Sequence, residues 1–453
     1  MIPIVTPEEM GEIDRAAPEP VEVLIARAAA AVAREAVDLM GGTYGRRVVV
    51  VAGKGNNGND GRVAAAALRR RGVVVHEFDA GSAPEVLPPS DLVIDAAYGT
   101  GFHGDYVAPD PGGAPVLAVD IPSGLDGRTG VASGRVPRAV RTVTFAALKP
   151  GLLLGDGPAH CGEVVVADIG LDVSTARAHL VEDSDAAAWI PRRGVDDHKW
   201  NHAVWVIGGS PGMTGAPSLC AHACLRGGSG YVRLSTPGVD EADDIVGPVE
   251  AVKVPLPRMG WAEEVVDDVE RFAAMAVGPG LGRKRRVVKD VRTVVSSTSV
   301  TPTVIDGDGL SALGTEAGAV LGDRSAPVVL TPHDGEFERL SGDRPGADRV
   351  EATRNLAATT GATVLLKGST TVVADPDGQV LMARSGDARL ATAGTGDVLT
   401  GLIAAHLAMG VAGLRAAAAA AHVHGCAARL GPSRGFVASD LPDLIPLAWA
   451  GFA

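Results

Sequence analysis

The sequence predicts an α/β chain folded as two three-layer αβα domains, and three observations carry that expectation. Ala, Gly and Val dominate while aromatic residues make up only 4%, a composition suited to parallel strands packed under small-residue helices. Short β-branched apolar runs recur, and most end in Gly, Asp, His or Lys before a helical period begins. At 453 residues the chain exceeds one ordinary core, so two domains are the starting assumption.

Taken in order, residues 23–39 are Ala-rich and helical in pattern, stopping at Gly41-Gly42. The run Arg47-Val-Val-Val-Val-Ala-Gly53 is apolar throughout, as a buried parallel strand is. Gly53-Lys-Gly-Asn-Asn-Gly-Asn-Asp-Gly61 follows directly, then a helical pattern through Arg71 and a strand over 73–78. This loop is neither the GxGxxG dinucleotide fingerprint nor a GK[ST] phosphate loop. It offers amide oxygens, Asp60 and approachable backbone instead. Strands over 92–95 and 116–120 end in Asp95 and Asp120, followed by Gly99-Thr-Gly101 and Ile-Pro-Ser-Gly124. Ligands of open α/β sheets bind at that edge. Asn57, Asp95, Asp120 and Ser123 together are hard oxygen donors of the kind alkali and alkaline-earth cations take; singly, each is an ordinary loop cap.

The seam lies between Val181 and Lys199, where residues 182–185 and 191–197 are polar and aperiodic and read as connector, with domains over 1–190 and 199–453 and a linker at 191–198. Beyond it, strands are expected over 203–210, 231–235 and 274–278, and after them in Thr303-Val-Ile-Asp-Gly-Asp-Gly309, Val328-Val-Leu-Thr-Pro-His-Asp-Gly-Glu336 and Thr363-Val-Leu-Leu-Lys-Gly-Ser-Thr-Thr371. Lys367, Gly368, Ser369, Thr370 and Thr371 form either a hairpin turn or a phosphate hold made of a point charge, bare backbone and hydroxyls. The stretch Thr392-Ala-Gly-Thr-Gly-Asp-Val-Leu-Thr-Gly-Leu-Ile runs from glycines into a helix. Backbone N–H groups at such a helix start favour an anion, and Asp397 sits in the first turn. Asp306 and Asp308 suit either Mg²⁺ ordering or a turn. His422 and His424 read as packing or surface histidines on an Ala-rich helix.

A net charge of −13 argues against non-specific binding to nucleic acid or an anionic membrane. The four cysteines show no CxxC pair, which fits a reducing cytosol, and Cys220 and Cys224 read as packed core thiols. No basic-then-apolar leader and no membrane-length apolar run is present, so a soluble, cytoplasmic protein is expected.

Gly55-Asn-Asn-Gly-Asn-Asp60, Asp95 with Gly99-Thr-Gly101, Asp120-Ile-Pro-Ser-Gly124 and Thr144-Phe…Lys149-Pro-Gly resemble the NAD(P)HX epimerase domain. The resemblance implies a Rossmann-like fold over roughly 1–190, a potassium ion on Asn57, Asp95 and Ser123, and interconversion of the R and S forms of hydrated NADH and NADPH. Asp120 becomes the candidate acid/base with Lys149 as a weaker partner. Substrate contacts fall on Asn56, Asn57, Gly58, Asn59, Asp60, Gly99, Thr100, Gly101, Phe102, His103, Gly104, Asp105 and Asp120. Asn59 stands where that family usually carries Gly.

Lys367-Gly-Ser-Thr-Thr371 joined to Gly394-Thr-Gly-Asp397 resembles the ribokinase-like superfamily. Thr331-Pro-His-Asp-Gly-Glu336, Val277-Gly-Pro-Gly-Leu-Gly282 and Gly215-Ala216 narrow the likeness to the ADP- or ATP-dependent NAD(P)HX dehydratase. This implies a nucleotide, ADP before ATP, with Mg²⁺, held by residues 367–371 and by Gly394, Thr395 and Gly396. It makes Asp397 the base and places Ala216, Gly282, His333 and Asp397 at the substrate. Asp334 replaces the usual Pro of His-Pro-Gly-Glu. The expectation is a bifunctional repair enzyme, with a homo-oligomer as its assembly. The alternative is a ribokinase-like small-molecule kinase of the vitamin-precursor kind with an N-terminal ligand-binding domain, but such a kinase has no use for the Asn57, Asp95, Asp120 and Ser123 set. A non-enzymatic sensor would have no use for Asp397.

Overall fold

The computed structural model describes residues 1–322 and 324–452. The chain divides into two compact units, Ile2–Ala178 and His179–Ala453.

The first unit is built on a six-stranded sheet in the spatial order Val74–Asp79, Arg47–Ala52, Leu92–Ala96, Val116–Val119, Arg141–Phe145, Glu163–Ala167. All its neighbours pair in parallel. Val48 to Val51 and Leu92 to Ile94 are almost fully buried, as strands covered on both faces must be. Helices Pro7–Ala16, Val21–Met40 and Asn56–Arg70 pack on one face through Met10, Leu24, Val32, Ala64 and Leu68. The other face is closed by Leu87, Tyr106, Ala108 and Ala139. The chain order reverses between Arg47–Ala52 and Leu92–Ala96, and that switch point opens a crevice at the carboxyl ends of the strands.

In the second unit seven parallel strands run Thr363–Leu366, Val328–Leu330, Thr303–Ile305, Ala274–Val277, Ala203–Ile207, Tyr231–Ser235, Val252–Lys253. Thr371–Ala374 and Val380–Ala383 extend this sheet antiparallel. One face carries the Ala-rich helices Gly215–Arg226, Thr395–Ala408 and Gly413–Leu430, whose small residues allow close packing on Val204, Val206, Ala276 and Val304. Cys220 and Cys224 lie in this core, where the Cys224 thiol donates to the Gly401 carbonyl at 3.2 Å. Among the described residues no helix is long and apolar enough to cross a membrane.

The seam falls earlier than expected. Val181 N–H donates to the Met382 carbonyl at 2.9 Å, extending the second sheet. Residues 182–185, which read as connector, instead open the helix Asp183–Trp189, with Glu182 and Asp185 closing a reciprocal cap and Ala186 fully buried. Its acidic start hid the short apolar face that docks it. Residues 191–198 carry no helix or strand, but they lie inside the second unit.

Candidate active sites

In the first unit the switch-point crevice is a cleft of about 810 Å³ lined by Asn56, Asn57, Asp60, the loop Gly99-Thr-Gly-Phe-His103, Asp120 and Lys149. Glycines let its walls meet. A Cβ on Gly53 would lie 1.8 Å from the Ala97 carbonyl oxygen, and one on Gly58 1.9 Å from that of Gly53. Gly58 therefore shapes the loop rather than facing the cleft. Asp120 follows its strand in left-handed backbone, φ 66, and Ala146 after the next strand has φ 61. Such geometry on non-glycine residues costs energy and clusters at functional sites.

Lys149 Nζ donates to Asp120 Oδ1 at 2.7 Å, to Thr144 Oγ1 at 2.9 Å and to the Phe145 carbonyl at 3.1 Å. Three acceptors satisfy a buried ammonium. A Cβ on Gly99 would stand 3.5 Å from Asp120 Oδ2 and 3.4 Å from Asn57 Cβ and Cγ, so Asp120 and Asn57 converge on that loop. Burial, reinforced by Asp120 and Asp14, pushes the Asp60 carboxyl up to about 8. Asp14 also titrates high, again through burial, with Lys149 opposing and Asp120 adding.

Asp95 and Ser123 are directly joined: Ser123 donates to Asp95 through its hydroxyl at 2.7 Å and its amide at 2.8 Å. Both amide atoms of Asn57 are buried with no hydrogen-bond partner. An orphaned amide oxygen and a buried carboxylate–hydroxyl pair fit a hard cation such as K⁺. Among the other expected contacts, Asp105 accepts from Ser133 Oγ at 2.6 Å and belongs to the loop's own bracing. Asn59 and Gly104 do not line the cleft.

In the second unit Asp306, Thr331 and Lys367 each follow the last residue of three adjacent parallel strands, which puts them side by side at one sheet edge. Lys367 Nζ donates to Asp306 Oδ1 at 2.6 Å, Thr331 Oγ1 to the same oxygen at 2.8 Å, and Thr400 Oγ1 to Asp306 Oδ2 at 2.8 Å. Residues 367–370 are the tip of a hairpin between Thr363–Leu366 and Thr371–Ala374, with Lys367 at its start. Arg349 steadies this tip by donating to the Lys367 carbonyl and to Asp334 Oδ1, both at 2.8 Å.

Helix Thr395–Ala408 starts at Gly394, φ 97. A Cβ on Gly396 would come 3.4 Å from Lys367 Nζ, which places the glycine loop against the lysine. Burial, then Asp306 and Glu336 against the opposing Lys367, pushes Asp397 up to about 7. Burial alone would pull Lys367 down, but Asp306, Glu336 and Asp397 hold it above its ordinary value. Three carboxylates around one ammonium leave negative charge that a dication carried by a nucleotide would relieve, so the set fits Mg²⁺.

Asp308 takes the turn role: it accepts from Gly282 N at 2.8 Å and Arg283 Nε at 2.8 Å. His333 caps helix Asp334–Ser341, its Nδ1 accepting from Gly335 N at 3.0 Å, and the ring stays exposed. Thr395 turns its hydroxyl to the Leu390 and Thr392 carbonyls, leaving only its backbone for a ligand. A Cβ on Gly280 would lie 3.6 Å from Ala216 Cβ, so the two glycine-rich turns adjoin. A second cavity of about 500 Å³ lies at the opposite sheet edge, beside Pro302, Pro327 and Thr363.

The family pattern described as NAD(P)H-hydrate dehydratase matches residues 204–447, and that of the YjeF-related protein N-terminus matches 21–83 and 74–151. The chain is 38% identical to the bifunctional NAD(P)H-hydrate repair enzyme Nnr of Salinibacter ruber, over 90% of this chain and 88% of the relative. The chain belongs to the bifunctional NAD(P)H-hydrate repair enzyme family. The Mycobacterium tuberculosis enzyme of that name is 40% identical, over 85% of this chain and 84% of its own. The second unit is similar to the ADP/ATP-dependent NAD(P)H-hydrate dehydratase of Bacillus subtilis co-crystallised with ATP/Mg²⁺. That likeness has TM-score 0.53 and 30% identity and covers 60% of this chain and 98% of that one.

Two residues beside these candidate sites escape a reading of the sequence. Asp14 reaches the cleft from helix Pro7–Ala16, whose only sequence signal is Thr6-Pro-Glu-Glu9, a capping box. His424, which reads as a packing or surface histidine, is buried with Nε2 2.9 Å from the Thr395 carbonyl. Burial drops it to about 4, so it is neutral and donates to the glycine loop.

Proposed function

We propose that Ile2–Ala178 epimerises R- and S-NAD(P)HX and that His179–Ala453 dehydrates the S form at the expense of ADP or ATP, ADP being favoured. The observation that carries this is the pair of independent centres, each at the carboxyl edge of its own parallel sheet: Asp120 with Lys149, and Asp397 with Lys367.

In the epimerase, the NADHX hydrate lies in the cleft with its phosphates toward the start of helix Asn56–Arg70. Asp120 exchanges the proton that opens and recloses the hydrated ring, and Lys149 fixes its orientation and charge. Asn57, Asp95 and Ser123 would hold K⁺, which would supply a fixed positive charge for the dinucleotide.

In the dehydratase, Lys367 and the Gly394–Gly396 backbone hold the nucleotide phosphates, and the Mg²⁺ bound with them would supply positive charge against the developing negative charge. Asp397 removes the proton of the hydrate's C6 hydroxyl, whose oxygen attacks the terminal phosphorus as the bridging P–O bond breaks. Loss of that phosphate with a ring proton restores the C=C bond. A pKa near 7 suits a base at neutral pH. Fusion joins the two centres usefully, because spontaneous hydration gives both epimers and the dehydratase takes one.

Absorbance of the reduced nicotinamide, followed with purified protein, S-NADHX, Mg²⁺ and either nucleotide, tests the dehydratase. Growth with ADP or ATP supports it. Phosphorylation of a small alcohol with no absorbance change would favour the kinase alternative.

A further inference from the structure

Helix Gly413–Leu430 serves the glycine loop through His424, but two other side chains on it, His422 and Cys426, have no part in either centre. They are four residues apart and so share one helix face. There they meet Asp183, the first residue of helix Asp183–Trp189. His422 Nε2 is 2.6 Å from Asp183 Oδ1, and Cys426 Sγ is 3.8 Å from His422 Nε2 and 4.0 Å from Asp183 Oδ1. Among the described residues no other three His, Cys, Asp or Glu side chains bring ligand atoms within 4.8 Å of one another.

We propose that Asp183, His422 and Cys426 bind one divalent transition-metal ion of the Zn²⁺ class, at a site separate from the repair chemistry. One thiolate, one imidazole and one carboxylate form a mixed donor set that borderline ions prefer to Mg²⁺ or Ca²⁺. Three protein ligands leave a tetrahedral ion one open position. Zn–S near 2.3 Å and Zn–N or Zn–O near 2.0 Å put ligand atoms roughly 3.3–3.6 Å apart. The two distances to sulfur are already close to that spacing. Only Asp183 must swing away from His422, and its side chain is 57% exposed.

Asp183 holds the ring proton on His422 Nε2 in this arrangement, but His422 Nδ1 has no hydrogen-bond partner, so once Asp183 swings away Nδ1 can carry the proton and Nε2 can present its lone pair. Arg429 Nη2, 3.6 Å from the sulfur, is on an exposed residue and can move aside.

The test uses the full chain stripped with a chelator, titrated with Co²⁺ and with Zn²⁺. One equivalent of Co²⁺ should give a thiolate-to-cobalt charge-transfer band that Cys426→Ser abolishes. Because changes outside the ligand shell alone cost about 10–100-fold in affinity, His422→Gln and Asp183→Asn should each weaken Zn²⁺ by at least about 100-fold. Circular dichroism and both repair activities should stay unchanged in Asp183→Asn. Absence of stoichiometric binding, or wild-type Zn²⁺ affinity in Cys426→Ser, would overturn the proposal and leave an Asp183–His422 ion pair that only docks one helix on another.

Discussion

Lys149 places its ammonium 2.7 Å from Asp120 while its own side chain is 1% exposed. A charge so enclosed depends on its acceptors, and Asp120 is the only anion among them. Lys149→Met should therefore abolish epimerisation and lower stability by about 1–3 kcal/mol in urea denaturation, less than for a fully buried pair because Asp120 keeps some solvent contact. Unchanged epimerisation would remove Lys149 and Asp120 from the chemistry.

Asp120 also bears a backbone penalty. At φ 66 any side chain with a Cβ is strained, whereas glycine is not. Asp120→Gly and Asp120→Ala both lose the lysine's partner, so comparing them isolates the backbone. The glycine variant should be the more stable by about 1 kcal/mol, and equal midpoints would contradict a strained site.

Asp397 titrates near 7 when folded, against about 4 for an aspartate in an unfolded chain. Between those values the folded chain keeps a proton that the unfolded chain loses, so this group's contribution to stability falls as pH rises from about 4 to 7. Asp397→Asn should gain on the order of 1–3 kcal/mol over wild type at pH 8 and little at pH 4. Wild-type dehydration should rise with pH through about 7, since the base must be unprotonated. A flat profile with no pH-dependent stability gain would place the base elsewhere.

The glycine loops differ in tolerance. Gly58→Ala drives a Cβ to 1.9 Å from the Gly53 carbonyl, whereas Gly55→Ala meets nothing within 4 Å. The first should cost several kcal/mol, at or beyond about 3, and the second less than about 1. In the other unit, Lys367→Ala and Gly396→Val should both weaken ADP or ATP in calorimetry. Unchanged affinity in both would move the nucleotide away from the hairpin tip.

Much of this was legible because parallel strands announce themselves twice. Arg47–Ala52 is a run of valines, and the residues after such strands, Asp120, Asp306 and Lys367, are polar where a buried run must surface. The motifs around Asn57 and Asp397 could be placed from that pattern. What stayed hidden depends on tertiary proximity. Nothing near Asp14 tells that its helix folds over the cleft, and nothing in the Ala-rich run around His424 tells that its ring reaches Thr395. The acidic start of Asp183–Trp189 reads as connector because its acids mask one small buried face. The acidic pair Asp306 and Asp308 shows the limit of composition: two residues apart, one organises the lysine and the other holds a turn.

The account's central claim is that two centres on one chain act separately. Full-length Asp397→Asn, given pure R-NADHX without nucleotide and followed by chromatography, should reach the mixture of R and S forms at the wild-type rate. Adding Mg²⁺ and ADP or ATP should then yield reduced nicotinamide about 10² to 10⁴ times more slowly than wild type. Epimerisation lost together with dehydration, or dehydration at the wild-type rate, would contradict it.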